Sequence, residues 1–410
     1  MAVTKTETVG WGSRLGSAVK GIIGGFFLFI AGFPLLWWNE GETIKTRKAL
    51  EEGEQNCIAV ESTAQIDPAF DGKLVHMSGL ADTETTLSDP EFGVSEPKAI
   101  RLVRKVEMYQ WKENSHTTEK KKVGGSVERT TTYTYEKVWS DAVIDSGSFE
   151  EAGHDNPGVM EFQSSELEAE SVTFGAFRLS KEQIARIGEE RPYVFPANFT
   201  CAVERVKVAG SIIYVPNGET RANALNQRDA VSQPRIGDMR VTFKVVKPHE
   251  ISLVAKQHGD TFVSYTAKNG KKVSLLKDGV KDAAEMFAAA QSANDLRCWL
   301  LRLAGFLLMF FGVSAVLKPL SVVLDVLPIL GNIAEVGISI VAFAVAAPCS
   351  LVTIAIAWLY YRPVVGIALL AAAGAIVFWF KNKKKAAAAA KAAAPSAPLE
   401  GSRRRSLKRS

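Results

Sequence analysis

The sequence has few of the residue patterns that carry enzymatic or metal chemistry. Its five histidines are scattered, with no two of them four residues apart, and its four cysteines form no paired motif. A Gly-rich phosphate loop, a Gly-x-Ser-x-Gly elbow and a His-Glu-x-x-His motif are all missing. We therefore predict no catalytic residue, no metal site and no cofactor, and we expect a protein that is not an enzyme.

Long apolar runs are missing from the middle of the chain and crowded toward its ends. Residues 39–297 are charged and rich in β-branched side chains, whereas residues 21–38, 299–317, 336–361 and 364–380 are almost wholly apolar. A helix of about 18 residues rises roughly 27 Å, close to the roughly 30 Å of a hydrocarbon core. The pattern predicts a multi-pass α-helical membrane protein with four spans. A large, mainly antiparallel β (α+β) extramembrane domain would lie between spans 1 and 2.

The charges predict an orientation. Residues 1–20 carry three basic residues against one acidic residue, and residues 381–410 carry ten against one. The positive-inside rule therefore places a short N-terminal segment and a disordered, basic, Ala-rich tail in the cytoplasm. Subtracting the charges of both ends and of residues 298–380 from the total of +5 leaves −7 for residues 21–297. The large domain would face the periplasm, the exterior or a lumen, and we expect no nucleic acid among its partners.

Residues 318–335, between spans 2 and 3, contain two prolines and are too short to cross a bilayer. We predict that this segment, with Asp325 and Pro328, is interfacial or re-entrant on the cytoplasmic side. Arg302, one turn into span 2, would reach the outer interface by snorkelling. A transporter would need several ionisable groups near the midplane, which the spans do not supply. An undetected enzyme or transporter that uses Asp325 or Glu335 is the remaining alternative.

Two short polar segments next to spans predict turns. Asn39, Glu40 and Gly41 follow span 1 and would turn the chain into the domain, since Asn and Gly suit turns. Arg362 and Pro363 separate spans 3 and 4, where Pro cannot continue a helix and Arg can reach head groups. Ordinary anchoring at the membrane interface is the alternative role for both segments.

Alternation in the middle region predicts three β-hairpins. The first is long and joins residues 101–113 to 130–140, and the second joins 240–247 to 251–256. The third turns at Asn269-Gly270, a pair typical of tight hairpins.

Two cysteines, Cys57 and Cys201, lie in the predicted outer domain, where the compartment could oxidise them. The sequence leaves two alternatives open, a Cys57–Cys201 disulfide and a pair of buried free thiols.

Two stretches of the chain together resemble the transmembrane protein 43 (LUMA) family. The first contains Asn39-Glu40-Gly41, Lys45-Thr46 and Ala49-Leu50-Glu51-Glu52-Gly53. The second contains Leu324-Asp325, Pro328 and Trp358-Leu359-Tyr360-Tyr361-Arg362-Pro363. With the layout of one span followed by three, the similarity extends over about residues 20–380, and it is strongest beside the membrane.

The resemblance implies a non-enzymatic protein that organises or scaffolds other membrane proteins and associates with itself. Its partners would be the lipid bilayer, further copies of the chain and other membrane proteins. Animal members of the family are described in the endoplasmic reticulum and the inner nuclear membrane, and a bacterial member would lie in the inner membrane. A sensor or signalling component for envelope stress, with the basic tail as its cytoplasmic readout, is the alternative function.

Overall fold

A computed structural model describes residues 2–217 and 233–363 of the chain. The chain divides into two compact units, Met1–Ser350 and Leu351–Ser410. The predicted fourth span, 364–380, and the tail, 381–410, lie outside the described residues.

Three of the helices in the described residues are long and apolar enough to cross a membrane. The helices are α1 (Trp11–Asn56), α2 (Lys181–Ile184), α3 (Ala283–Leu324) and α4 (Pro328–Tyr361). Helices α1, α3 and α4 contain the first three predicted spans, which supports an integral, multi-pass membrane protein. The 46 residues of α1 and the 42 of α3 continue well beyond the apolar runs, because their outer turns pack on the β domain.

The region between α1 and α3 consists mostly of β-strands. They are β1 (Ala2–Val9), β2 (Ile58–Ala59), β3 (Leu74–Asp82), β4 (Leu87–Asp89), β5 (Val94–Glu96), β6 (Arg101–Lys121), β7 (Val127–Ser140), β8 (Ser165–Glu168), β9 (Thr173–Phe174), β10 (Phe177–Arg178), β11 (Arg191–Pro192), β12 (Lys207–Ala209), β13 (Ile212–Val215), β14 (Met239–Val246), β15 (His249–His258), β16 (Thr261–Val263), β17 (Tyr265–Thr266), β18 (Lys272–Val273) and β19 (Leu275–Asp278).

These strands form two main sheets. The first has the order β1-β7-β6-β14-β13-β12, with β8 paired to β6 and β11 paired to β14. The second has the order β19-β15-β16-β10-β9-β3-β2, and β15 also pairs with β3. Only β10–β16 and β2–β3 pair in parallel among the described strands. The predicted large, mainly antiparallel β domain is therefore confirmed.

One apolar cluster joins the long helices to the second sheet. Leu50 of α1 and Phe287 of α3 pack with Leu74 of β3 and Val254 of β15, and all four are buried. Full burial of a Leu or Phe side chain contributes about 1.5–3 kcal/mol. The C-terminal end of α1 and the N-terminal end of α3 are therefore part of the domain's core, and both lie within the predicted domain bounds of 39–297.

Two of the three predicted hairpins are present. Strands β6 and β7 pair from Met108↔Ser140 to Lys121↔Val127, and β17 pairs with β18 around Asn269-Gly270. The predicted hairpin of β14 and β15 is wrong, because β14 pairs with β6 and β15 pairs with β3. The residues between β14 and β15 connect the two sheets. The alternation of apolar and polar residues predicts a strand but not the strand with which it pairs.

The N-terminal segment forms a strand, β1, where no element was predicted. Strand β1 pairs with β7 from Ala2↔Thr134 to Val9↔Val127, so β1, β7 and β6 form a three-stranded layer that we call the N-terminal ribbon. The ribbon is polar and largely exposed, and the outer edges of β1 and of β6 after Met108 pair with no other described strand. Hydrocarbon does not accommodate such open strand edges. The pairing argues against the predicted placement of residues 1–20 and 39–297 on opposite sides of a bilayer. The alternation of Thr with Lys and Glu in residues 4–8 was the sequence feature that could have predicted this strand.

Cysteine cross-linking tests the N-terminal ribbon directly. Thr6 and Thr130 are register partners whose Oγ atoms lie 3.4 Å apart. We expect a Thr6→Cys/Thr130→Cys variant to form an intramolecular disulfide under mild oxidation, because cross-strand neighbours are within disulfide reach. Electrophoretic mobility without and with reductant measures it in intact membranes.

The control variant is Thr6→Cys/Ser95→Cys, since Ser95 lies in a separate two-stranded sheet. The absence of cross-linking in both variants would contradict the strand pairing and restore the opposite-side orientation. Equal cross-linking in both variants would contradict the specific pairing of Thr6 with Thr130.

Candidate functional site: two charged clusters along a helix pair

Helices α1 and α3 pack antiparallel at glycines spaced seven residues apart. A Cβ atom on Gly25 would lie 2.7 Å from the carbonyl oxygen of Gly312, and one on Gly32 would lie 3.0 Å from that of Gly305. Larger residues at these positions would push the helices apart. Small residues are typical of helix interfaces in membranes, because close backbone approach supplies most of the attraction there.

The first charged cluster, which we call the domain-side cluster, consists of Asn39, Glu40, Asn294, Cys298 and Arg302. The guanidinium of Arg302 donates two hydrogen bonds to the Glu40 carboxylate, Nε to Oε1 at 2.6 Å and Nη2 to Oε2 at 2.8 Å. The Glu40 side chain is 2% exposed. Bidentate pairs of this kind are strong and geometrically specific. The Glu40–Arg302 pair therefore joins α1 and α3 in one register.

Two amides extend the domain-side cluster. Asn39 of α1 donates to the carbonyl oxygen of Cys298 at 3.1 Å, and Asn294 of α3 donates to that of Thr43 at 3.0 Å. Both amide side chains therefore connect one helix to the backbone of the other. A polar pair that satisfies its hydrogen bonds within the protein avoids the cost of an unpaired polar group.

The structure corrects two expectations at the domain-side cluster. Asn39, Glu40 and Gly41 do not form a turn, because α1 continues through them to Asn56. All three are buried, and Asn39 and Glu40 contact α3. Arg302 does not need to snorkel, because Glu40 supplies a carboxylate within reach and the guanidinium also stacks on Trp299, 4.7 Å from the ring centroid. The missed signal was a pair of opposite charges at the same end of two predicted spans, an acidic residue just after span 1 and a basic residue one turn into span 2.

The second charged cluster, which we call the hairpin-side cluster, consists of Arg14, Lys121, Asp325 and Glu335. The buried Asp325 carboxylate accepts a hydrogen bond from Arg14 Nη2 at 2.5 Å, and Lys121 Nζ lies 2.9 Å from its Oδ1. The same Lys121 Nζ lies 2.9 Å from Glu335 Oε1. Arg14 of α1 and Lys121 at the tip of the β6–β7 hairpin therefore meet at the Asp325 carboxylate after α3, and Lys121 extends the cluster to Glu335 of α4.

Backbone contacts hold the hairpin tip in place. Gly124 donates its N–H to the carbonyl of Val326 at 3.0 Å, and Trp11 Nε1 donates to the carbonyl of Val322 at 2.8 Å. Gly125 has a φ of +79° and lies against the Trp11 ring, with no room for a Cβ atom. The tip thus requires glycine for both conformation and space.

The predicted interfacial or re-entrant segment 318–335 is mostly helical. Helix α3 continues to Leu324 and α4 begins at Pro328, a position where proline is favoured. Only residues 325–327 connect the two helices. Gly331 lies against Asp325 so closely that no Cβ atom would fit. Asp325 is therefore a buried ion-pair partner.

The charges of the hairpin-side cluster stabilise one another. Burial of Asp325 favours its neutral form, but the ion pairs with Lys121 and Arg14 outweigh it and hold the pKa below its usual 3.8. Burial of Lys121 likewise opposes its charge, and the contacts with Asp325 and Glu335 still raise its pKa above 10.5. The charged forms therefore persist throughout the physiological pH range.

The remaining predicted residues lie outside both clusters. Cys57 and Cys201 are free thiols in separate apolar clusters, so the disulfide alternative is contradicted, and burial raises the pKa of the Cys57 thiol to about 11. In the second unit, α4 ends at Tyr361 and the Arg362 guanidinium lies 6.0 Å from the Trp358 ring centroid. Pro363 is the last described residue, so the predicted turn there extends beyond the described chain.

Comparison with known proteins gives a consistent result over most of the chain. The family model described as Transmembrane protein 43 matches residues 108–363. Transmembrane protein 43 of Homo sapiens is 32% identical over 372 residues, which cover 88% of this chain and 89% of that protein. The Rattus norvegicus protein is 31% identical over the same coverage, and a Drosophila melanogaster homolog is 30% identical over 86% of this chain and 91% of its own length. No solved structure matches the chain.

Unpairing the domain-side cluster should destabilise the protein. Arg302→Met leaves the Glu40 carboxylate buried without a cation, and we expect a loss of about 3 kcal/mol of unfolding free energy. Glu40→Gln/Arg302→Met removes both charges and should cost only about 1 kcal/mol, since no unpaired charge is left. Unfolding of the purified protein in detergent measures both. A double variant that is less stable than Arg302→Met would contradict this account.

The hairpin-side cluster should stabilise the protein over a defined pH window. A carboxylate with a lowered pKa contributes above pH 3.8 and loses its contribution as the pH falls below it, and a lysine with a raised pKa contributes until the pH passes 10.5. We expect the difference in Tm between the natural protein and Asp325→Asn to be constant from about pH 5 to about pH 9 and to shrink outside that range. A difference that already shrinks near neutral pH would mean that Asp325 is not ion-paired.

Proposed function

The chain belongs to the transmembrane protein 43 family, and we propose that it is a non-enzymatic integral membrane protein that scaffolds other membrane proteins and copies of itself. The binding surface in this proposal is the β-rich domain, presented next to the bilayer. Its partners are the lipid bilayer, further copies of the chain and other membrane proteins. Nucleic acid is not among them, because residues 21–297 are acidic overall.

The rigid connection between membrane helices and domain carries this proposal. Helices α1 and α3 run without interruption from the apolar runs into the apolar cluster around Leu50 and Phe287. The Glu40–Arg302 pair joins the two helices just before they enter the domain. A domain on a flexible linker would sample many orientations, whereas this one is held in a single orientation relative to the helix pair. Because the domain already has a fixed orientation, less conformational entropy is lost when a second membrane protein binds to it.

Our proposal for the membrane location follows from the basic C-terminal tail. Ten basic residues against one acidic residue favour a cytoplasmic tail. In a bacterial cell this membrane is the inner membrane, and in a eukaryotic cell it is the endoplasmic reticulum or the inner nuclear membrane. The side of residues 1–20 is the question that the Thr6–Thr130 cross-link answers.

A second candidate function is a sensor or signalling component for envelope stress. One observation favours it, namely that Lys121 at the tip of the domain's long hairpin pairs with Asp325 at the α3–α4 turn. A ligand that displaced the hairpin would change the environment of that turn. In this alternative the basic tail is the readout.

In-cell cross-linking of tagged full-length protein, followed by mass spectrometry, tests the scaffold proposal. We expect homo-oligomers and a reproducible set of membrane proteins, with the cross-links on the β domain. Deletion of residues 381–410 should leave this set unchanged, because the domain makes the contacts.

Two outcomes would contradict the scaffold proposal. The first is that the protein stays monomeric and no membrane protein is cross-linked to it. Capture that depends on residues 381–410 would favour the signalling alternative instead.

A further inference from the structure

A cavity lies between the N-terminal ribbon and the helix pair, apart from both charged clusters except for the shared Arg14. Its volume is about 490 Å³, within the range of small-molecule sites. Helix α1, helix α3 and strands β1, β6 and β7 all contribute to it. The lining residues are Val9, Ser13, Arg14, Ser17, Ala18, Gly21, Glu119, Val127, Arg129, Ala315, Lys318 and Val322.

The charge of the lining favours an anion. Three of its side chains are cationic, namely Arg14, Arg129 and Lys318, and Glu119 is the only carboxylate among them. Arg129 pairs with Glu119 at 2.8 Å, and Arg14 pairs with Asp325. Lys318 has no acidic side chain within ion-pair distance in the described part of the chain. The cavity therefore presents one uncommitted ammonium group together with the hydroxyls of Ser13 and Ser17, a donor set that suits phosphate oxygens.

The position of the cavity favours a lipid as the source of the phosphate. Gly21 of α1 is the first residue of the predicted first span, and Lys318 of α3 directly follows the second, so the lining residues lie at the boundary of the apolar runs. Next to them, Ile23 is 66% exposed and Leu320 is 55% exposed. A phospholipid matches both features, because its head group carries the phosphate and its acyl chains cover apolar helix surface.

We propose that this cavity binds the head group of an anionic phospholipid, one molecule per chain. Lys318 binds the phosphate, Ser13 and Ser17 donate hydrogen bonds to it, and the acyl chains run along the exposed apolar side chains of α1 and α3. Bound lipid would join the N-terminal ribbon to the helix pair. This inference uses the membrane location and does not depend on the scaffold proposal.

Native mass spectrometry of the full-length protein, titrated with phosphatidylglycerol or phosphatidylcholine, tests the site. We expect saturable binding of one phosphatidylglycerol per chain and weaker binding of phosphatidylcholine. Lys318→Gln should lower the phosphatidylglycerol affinity about fivefold, the effect of one basic residue near an anionic surface. The matched control is Lys20→Gln, which removes the same charge from an exposed position beside the first span that does not line the cavity. It should change the affinity less than about twofold.

A second pair of variants tests the cavity without changing charge. Ser17→Trp should fill it and abolish the saturable binding, whereas Val19→Trp adds the same bulk at an exposed position outside the lining. The Tm of each variant without added lipid shows whether it is folded. If Ser17→Trp is unfolded, the comparison of Lys318→Gln with Lys20→Gln decides the question.

Three results would overturn the proposal. The first is equal loss of binding in Lys318→Gln and Lys20→Gln, which would mean that only the general surface charge matters. The second is the absence of any saturable phosphatidylglycerol binding. The third is binding of inorganic phosphate that depends on Lys318 and displaces the lipid completely at equal concentration, which would make free phosphate the ligand.

Discussion

The close antiparallel packing of α1 against α3 is the constraint on which the rest of the structure depends. Glycines on both helices let the backbones approach, and the Glu40–Arg302 pair sets the register. Once this register is set, one end of the pair enters the core of the β domain and the other end meets the tip of the β6–β7 hairpin. A shift by one helical turn would separate both charged clusters at once.

The two clusters place buried charge at the two ends of the same helix pair. Each of the buried carboxylates, Glu40 and Asp325, has a cationic partner from another element, so loss of a single partner leaves an unpaired charge with a large desolvation cost. Such pairs favour one arrangement of the elements over its alternatives more than they add net stability. A protein that presents a domain in one orientation beside a membrane depends on that kind of selectivity.

Local patterns predicted elements well and their partners poorly. The three described spans follow from runs of apolar residues, and the turn at Asn269-Gly270 follows from the backbone preferences of two residues. The partners of β14 and β15 were predicted wrongly, because neighbouring strands in sequence can belong to different sheets. The turn expected at Asn39 was also wrong, since polar residues end a helix only where no partner buries them.

The sequence by itself determined that the chain enters a membrane, that a β-rich domain separates the first span from the others, and which family it resembles. These properties depend on composition and on order along the chain. The tertiary structure decided where the isolated charges go, because Arg14, Lys121 and Asp325 are far apart in sequence and meet only after folding. It also decided that the N-terminus pairs with the domain, since strand pairing is a relation between segments that neither segment specifies alone.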